Sequence, residues 1–266
     1  MKIKTAVILC GGKGTRLGDI GKKIPKSLVR INKKPIIWYI LKSLKMNGFN
    51  QFILPIGYKG LMIRTYLKNN IEFKDYNIQV VKTGINSSIA NRIFQIKKNI
   101  LSTNFLLLNG DAIFDFNLNK IYNDHIKLKN KMTLVGCENE LPYGTVGIIN
   151  NKIISFNRNI IFDSVNIKNK KNFKAFIYSG MSVMNINILN RNYKKLVNFE
   201  KSLYPLFIKK FKCNFVPMKG FWHSVDNEKD ISSLNEKSNK IKFNKLKKIT
   251  KKFKKEIKIF GKIKQF

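Results

Sequence analysis

Acidic residues are scarce in this chain: 15 Asp and Glu stand against 52 Lys and Arg in 266 residues, a formal net charge of +37. The lysines are scattered through every segment, beside abundant Asn, Ile and Phe, as an AT-rich coding sequence produces. They gather around neither an aromatic platform nor a recognition helix, so no specific nucleic-acid partner is expected. Cysteine is nearly absent. Cys10, Cys137 and Cys213 are odd in number and far apart, which excludes a disulfide framework and a paired-cysteine zinc site. No apolar run approaches the roughly 20 residues that span a bilayer. The apolar stretch at the N-terminus is too short for a signal-peptide core and reads as a first strand. A soluble, cytoplasmic protein is expected. Only two histidines occur; His125 reads as lying on a polar helix face, and neither it nor His223 is given a role.

What is present has an order. Apolar runs at 6–10, 51–57, 76–83 and 104–108 alternate with segments of helical spacing at 35–48, 59–69 and 88–100. Such alternation predicts a mainly parallel sheet covered on both faces, with ligands at the carboxyl ends of its strands. After about residue 130 shorter strands follow (132–137, 145–150, 152–156 and 175–185), predicting a mixed, partly antiparallel second half. A polar surface loop is expected at 158–174, a helix at 199–211 and a strand at 213–218. One domain over 1–236 is followed by a Lys-rich extension, 237–266, in which Leu246, Ile249, Phe253 and Ile257 recur at helical spacing. That tail is expected to dock on its own domain or a sister subunit, or to touch an anionic surface.

Two strand ends carry the chemistry. Residues 10–27 read CGGKGTRLGDIGKKIPKS. Glycines let backbone amides approach phosphate oxygens, and Lys13, Arg16, Lys22, Lys23 and Lys26 supply neutralising charge. A dinucleotide fingerprint would need a helix starting at the glycines, and Gly18, Gly21 and Pro25 work against one. No Gly-Lys-Ser/Thr closes a nucleotide P-loop either. Asp111 and Asp226 each follow an apolar segment. A hard cation such as Mg²⁺ is commonly held by one or two carboxylates plus substrate phosphates, so loop and carboxylates together describe metal-assisted transfer at phosphorus.

These residues resemble the sugar-1-phosphate nucleotidylyltransferases. The family loop G-G-x-G-T-R-L stands at Gly11 to Leu17 and its Pro-Lys at Pro25-Lys26. Gly110-Asp111, Tyr143 to Val146, Gly180 and Phe221 to Asp226 follow in order, so the likeness runs over about residues 3 to 236. The segments KPIIWYILK and GYKG, and the stretch from Thr83-Gly84 to Arg92, look most like the glucose-1-phosphate cytidylyltransferase branch. The resemblance implies a Rossmann-like α/β fold, a mixed, mainly parallel sheet with helices on both faces (the nucleotide-diphospho-sugar transferase fold), with a basic C-terminal helical tail. It implies that Leu9, Gly11, Gly12, Lys13, Gly14, Thr15, Arg16, Ser87, Arg92 and Asp111 bind the nucleotide. Arg16 would hold the leaving pyrophosphate and Lys26 would bridge the α-phosphate and the acceptor, as the catalytic pair. Asp111 and Asp226 would hold Mg²⁺. Tyr143, Gly144, Arg158, Gly180 and Trp222 would form the acceptor side.

Two departures bear on substrate. The branch's T-G-x-x-T-M-T-G-G-R is TGINSSIANR here, and its Glu-Lys is replaced by Asn157, Arg158 and Asn159. The implied reaction transfers NMP, CTP being the favoured donor, to a sugar 1-phosphate. It yields a nucleotide sugar for surface polysaccharide, in a homo-oligomer. GTP or UTP, or a non-sugar phosphorylated acceptor, remain alternatives. Catalytically inactive regulatory and nucleic-acid-binding roles are the rivals from other classes.

Overall fold

The computed structural model describes residues 2–137, 145–149, 152–157, 176–190, 192–193 and 198–237. From the N-terminus the elements run β1 (Thr5–Leu9), α1 (Gly18–Lys23), β2 (Arg30–Ile31), β3 (Lys34–Pro35), α2 (Ile36–Met46), β4 (Gln51–Ile56) and α3 (Gly60–Asn69). Then come β5 (Ile78–Lys82), α4 (Ile89–Ile96), β6 (Asn104–Asn109), β7 (Ala112–Asp115) and α5 (Leu118–Lys127). The second part adds β8 (Met132–Cys137), β9 (Thr145–Ile149), β10 (Lys152–Asn157), β11 (Ile177–Asn185), α6 (Tyr204–Lys210), β12 (Cys213–Pro217), β13 (Phe221–Ser224) and α7 (Glu228–Lys237). The expected loop at 158–174 and the tail from 238 onward lie outside the described residues.

Seven strands form the central sheet in the order β12-β8-β11-β6-β1-β4-β5. The block β5-β4-β1-β6 is parallel throughout. β11 then runs antiparallel to both β6 and β8, and β12 is parallel to β8. The sheet is thus mixed and mainly parallel, as the sequence predicts. Strand alternation sends Ala6 and Ile8 to one face and Val7 to the other. Ala6, Ile8, Phe52 and Leu54 pack with Ile37, Ile40, Leu41 and Leu44 of α2. Val7, Ile53, Phe105 and Leu107 pack with Ala90, Ile93 and Ile96 of α4 and Phe207 of α6. Both faces are covered, which is why the central strands read as continuous apolar runs. Pro35 caps the start of α2, and Gly48 at φ 80 stops it, a left-handed conformation that favours glycine.

The order of strands places the site. β1 lies between β4, the next strand of this sheet along the chain, and β6, to which the chain returns on the other side. Their loops therefore diverge at a crevice over the carboxyl ends. Leu9 pairs with Asn109 at the ends of β1 and β6, so the glycine loop and Gly110-Asp111 emerge side by side.

Several features were not expected. The helix expected around His125 forms as α5, but it turns that histidine inward rather than onto a polar face: the residue is 1% exposed. Its Nδ1 lies 2.8 Å from Thr133 Oγ1 and its Nε2 3.2 Å from Asn104 Oδ1. The helix expected at 199–211 opens as a π-helical turn, Phe199–Leu203, before α6. Pro205, second in α6, has no N–H to continue a regular α-ladder across that junction. β7 and β13 pair antiparallel outside the main sheet.

Candidate active site

A cavity of about 580 Å³ opens over the carboxyl ends of β1, β5 and β6. Leu9, Gly11, Gly12, Lys13, Gly14, Thr15, Arg16, Lys26, Ser87, Arg92, Asp111 and Asp226 all line it. Every nucleotide, catalytic and metal position singled out in the sequence is thus brought to one place. Leu17, Ile85, Asn86, Ile89 and Asn109 line it as well and were missed. Asn109 had a signal, since it directly precedes Gly110-Asp111 at a strand end.

The loop after β1 is held from several sides. Gly14 adopts φ 65 and its carbonyl accepts from Leu17 N at 3.0 Å. A short 3-10 turn, Thr15–Leu17, leads into the six-residue α1. That helix stops at Ile24, and Pro25 is extended (φ −68, ψ 144) before the turn Lys26–Leu28. No continuous helix starts at the glycines. The ammonium of Lys59 donates to the carbonyl of Lys22, tying α1 to the start of α3.

Arg92 works from beneath. Its guanidinium donates to the carbonyls of Gly11 (3.0 Å), Ile56 (3.3 Å) and Ile85 (3.3 Å) and to Thr83 Oγ1 (2.6 Å). One planar fork thereby joins the ends of β1, β4 and β5. A Cβ on Gly11 would lie 2.3 Å from that guanidinium, and one on Gly57 2.7 Å from it, so both glycines make room for it. Ser87 turns its hydroxyl to the carbonyl of Thr83. Ser88 caps α4 by accepting from Asn91 N at 3.2 Å.

The acids meet through the extra β-ribbon. Ser224 pairs with Ala112, and Val225 N donates to Asp111 O at 2.9 Å. That places Asp226 beside Asp111. Lys26 Nζ stands 2.8 Å from Asp111 Oδ2 and 2.8 Å from Asp226 Oδ1. Arg16 approaches the same Asp226 oxygen at 3.2 Å, and Ser224 Oγ donates to Asp226 Oδ2 at 3.1 Å. Partial burial alone would raise the Asp226 carboxyl. The hydrogen bond and charge of Lys26, with Arg16 behind it, outweigh that and hold it below the ordinary carboxylate value.

Among the described residues no group of three or more His, Cys, Asp or Glu could hold a metal ion. Two adjacent carboxylates, Asp111 and Asp226, suit a hard dication that takes its remaining ligands from phosphates and water. Cys10, buried beside this point, has its thiol pushed up to about 12, chiefly by burial, and is not poised to react.

The acceptor positions are reached only in part. Gly180, at φ 75, lies against Asn109; a Cβ there would be 2.6 Å from its Nδ2. Trp222 sits opposite Phe114 in the ribbon and packs against the core rather than lining the cavity. Tyr143, Gly144 and Arg158 lie outside the described residues. His223 Nδ1 lies 2.7 Å from the carbonyl oxygen of Ser224.

A mainly parallel α/β sheet with a glycine loop and an acid pair at its switch point defines a nucleotide-handling transferase. The family described as nucleotidyl transferase matches residues 5–157, more than half of the chain, and the chain belongs to that family. It is 29% identical over 250 residues to a Bacillus subtilis protein described as a probable glucose-1-phosphate cytidylyltransferase, covering 86% of this chain and 94% of that one. It is 30% identical over 211 residues to a D-glycero-α-D-manno-heptose 1-phosphate guanylyltransferase of Campylobacter jejuni, covering 72% and 87%. Among solved structures, one described as a "putative glucose-1-phosphate thymidylyltransferase" from Bacillus anthracis, in complex with sucrose, superimposes with TM-score 0.70. That match has 16% identity and covers 91% of this chain and 97% of the other. HddC from Yersinia pseudotuberculosis, complexed with GMP-PN, gives TM-score 0.64 at 23% identity, covering 88% and 98%. At those identities the two structures speak for the fold alone. No helix among the described residues is long and apolar enough to cross a membrane.

Proposed function

We propose that this nucleotidyl transferase is a Mg²⁺-dependent enzyme that moves the NMP of an NTP, CTP first, onto a sugar 1-phosphate. Pyrophosphate is released and a nucleotide sugar for surface polysaccharide is formed. The observation that carries the reading is the meeting of Lys26, Arg16, Asp111 and Asp226 at a cavity walled by the whole glycine loop.

A phosphate oxygen of the acceptor attacks the α-phosphorus in line. A new P–O bond forms, the bond from the α-phosphorus to the bridging oxygen breaks, and pyrophosphate leaves with that electron pair. The acceptor is already an anion at neutral pH, so no protein nucleophile is needed, and catalysis is positioning plus charge neutralisation. The backbone amides from Gly11 to Thr15, with Lys13, hold the β- and γ-phosphates. Arg16 turns from Asp226 to the departing pyrophosphate. Lys26 spans the α-phosphate and the incoming acceptor oxygen, neutralising both as they approach. Leu9 and Ser87 wall the base and ribose, over the loop ends that Arg92 fixes. Asp111 and Asp226, together with the phosphates, would hold Mg²⁺, which when bound would supply further charge neutralisation at the triphosphate. Gly180, with Tyr143, Gly144 and Arg158, forms the acceptor side, and the working assembly is a homo-oligomer in the cytoplasm.

A second reading keeps the chemistry and changes the donor to GTP. It is favoured by the guanylyltransferase relative, whose 30% identity over 211 residues stands close to the 29% over 250 residues of the cytidylyltransferase one. The altered segment TGINSSIANR supplies Ile85, Asn86, Ser87, Ile89 and Arg92 to the cavity wall, where a base would be read. Pyrophosphate release from each of the four NTPs against a set of sugar 1-phosphates, with and without Mg²⁺, tests both. Release that needs neither acceptor nor Mg²⁺ would overturn the proposal.

A further inference from the structure

Lys26 is an enclosed cation, its side chain 15% exposed, and it stands between the two acids at 2.8 Å from each. Arg16, largely exposed, touches only Asp226. Asp111 and Asp226 are the only acids that line the cavity among the described residues. An ammonium displaced from them has no other anion there to go to. Lys13 and Arg16 on the same wall add further positive charge. A dication and the Lys26 ammonium compete for one place between two carboxylates, and their mutual repulsion works against holding both there. An incoming triphosphate changes this balance, because it brings new anionic oxygens to which Lys26 can turn.

Resting on the function proposed above, we propose that Lys26 is the resident counter-ion of the Asp111–Asp226 pair. It keeps divalent cations out of the nucleotide-free site and gives up the pair only when phosphate arrives. The metal is therefore taken up with the triphosphate rather than ahead of it. Lys26 thereby couples loading of the metal to loading of the nucleotide, apart from its part in the transfer step.

The test is a Mn²⁺ titration of the nucleotide-free full chain, with free Mn²⁺ followed by electron paramagnetic resonance. The wild type should bind weakly. Lys26→Met, which removes the charge and keeps the stem, should bind Mn²⁺ more tightly by about tenfold or more, each tenfold being about 1.4 kcal/mol. Lys26→Met/Asp226→Asn should lose that gain. Added Mn²⁺ should raise the melting midpoint of Lys26→Met more than that of the wild type, and Lys26→Gln repeats the comparison should Lys26→Met fail to fold. Tight Mn²⁺ binding by the nucleotide-free wild type would overturn the inference, as would equal or weaker binding by both folded Lys26 variants. In either case the proposed function would stand if Asp226→Asn still abolished turnover. A gain that survived in the double variant would place the ion elsewhere and remove the metal assignment as well.

Discussion

Lys26 and Lys42 are both lysines held by carboxylates, and they differ in what lies beyond the pair. Lys42 is sealed in, its side chain 1% exposed and 3.1 Å from Glu72. The rings of Trp38, Phe73 and Tyr76 surround its ammonium at 5.5–5.7 Å. Glu72 also takes Lys34 at 2.8 Å and the Trp38 indole N–H at 3.0 Å. Burial would raise its carboxyl, and those partners together hold it low. Lys26 has the same ion-pair chemistry, but its pair opens onto the cavity. A charge pair without access is architecture; the same pair at a crevice can exchange partners with a ligand. Arg92 is intermediate. It is buried like Lys42 and lines the cavity like Lys26, yet it spends its donors on carbonyls and a hydroxyl.

Removing an acid at each place separates the two roles. Asp111→Asn should abolish Mg²⁺-dependent pyrophosphate release while the fold stands, and Lys26→Ala should slow turnover by about 10²-fold or more, both read from initial rates. Near-normal rates in both variants would sink the assignment. Glu72→Gln should do the reverse. Leaving Lys42 charged and short of its partner costs about 3–5 kcal/mol in a urea titration, with turnover per folded molecule unchanged.

A smaller effect comes from His125, whose burial, helped by the nearby Lys131 charge, lowers its pKa to about 4. The fold favours the neutral ring, so below the ordinary value near 6.5 the unfolded chain takes up a proton that the fold refuses. Stability should fall between about pH 6.5 and 4, by about 3 kcal/mol at most, and His125→Gln should flatten that part of the profile of urea midpoint against pH. The smallest effect is expected at the exposed Lys120–Asp124 pair. Lys120→Ala should change stability by no more than about 0.5 kcal/mol.

The same contrast explains what could be read from the chain alone. Everything in the glycine loop is local: amides, cations and the Pro-Lys turn lie within one stretch, so their meeting needs no tertiary knowledge. The parallel block was legible because buried strands show as unbroken apolar runs between helical segments. Asp226 is different, because it reaches Lys26 across 200 positions of sequence through the four-residue strands β7 and β13. Strands so short carry too little periodicity to announce a partner, although the family likeness still drew Asp226 into the site.

His125 was misread for another reason. Leu118, Ile121, Tyr122 and His125 form the buried stripe of α5, at the spacing of one helix face; the histidine was judged by its polar neighbours in sequence rather than by that stripe. Arg92 sits one turn before Ile96 on the buried side of α4, so helical spacing alone already placed its stem inward. Its choice of carbonyl partners depended on strand ends that only the sheet order brings together.

The central claim is that Lys26, Asp111 and Asp226 form the working centre of a nucleotidyl transfer to a sugar 1-phosphate. Its most direct test is pyrophosphate release by the wild type and by Asp226→Asn, with Mg²⁺, an NTP and a sugar 1-phosphate present together and each omitted in turn. The account predicts release only with all three, and none from Asp226→Asn. Equal release from both proteins, or release from the wild type without acceptor, would contradict it.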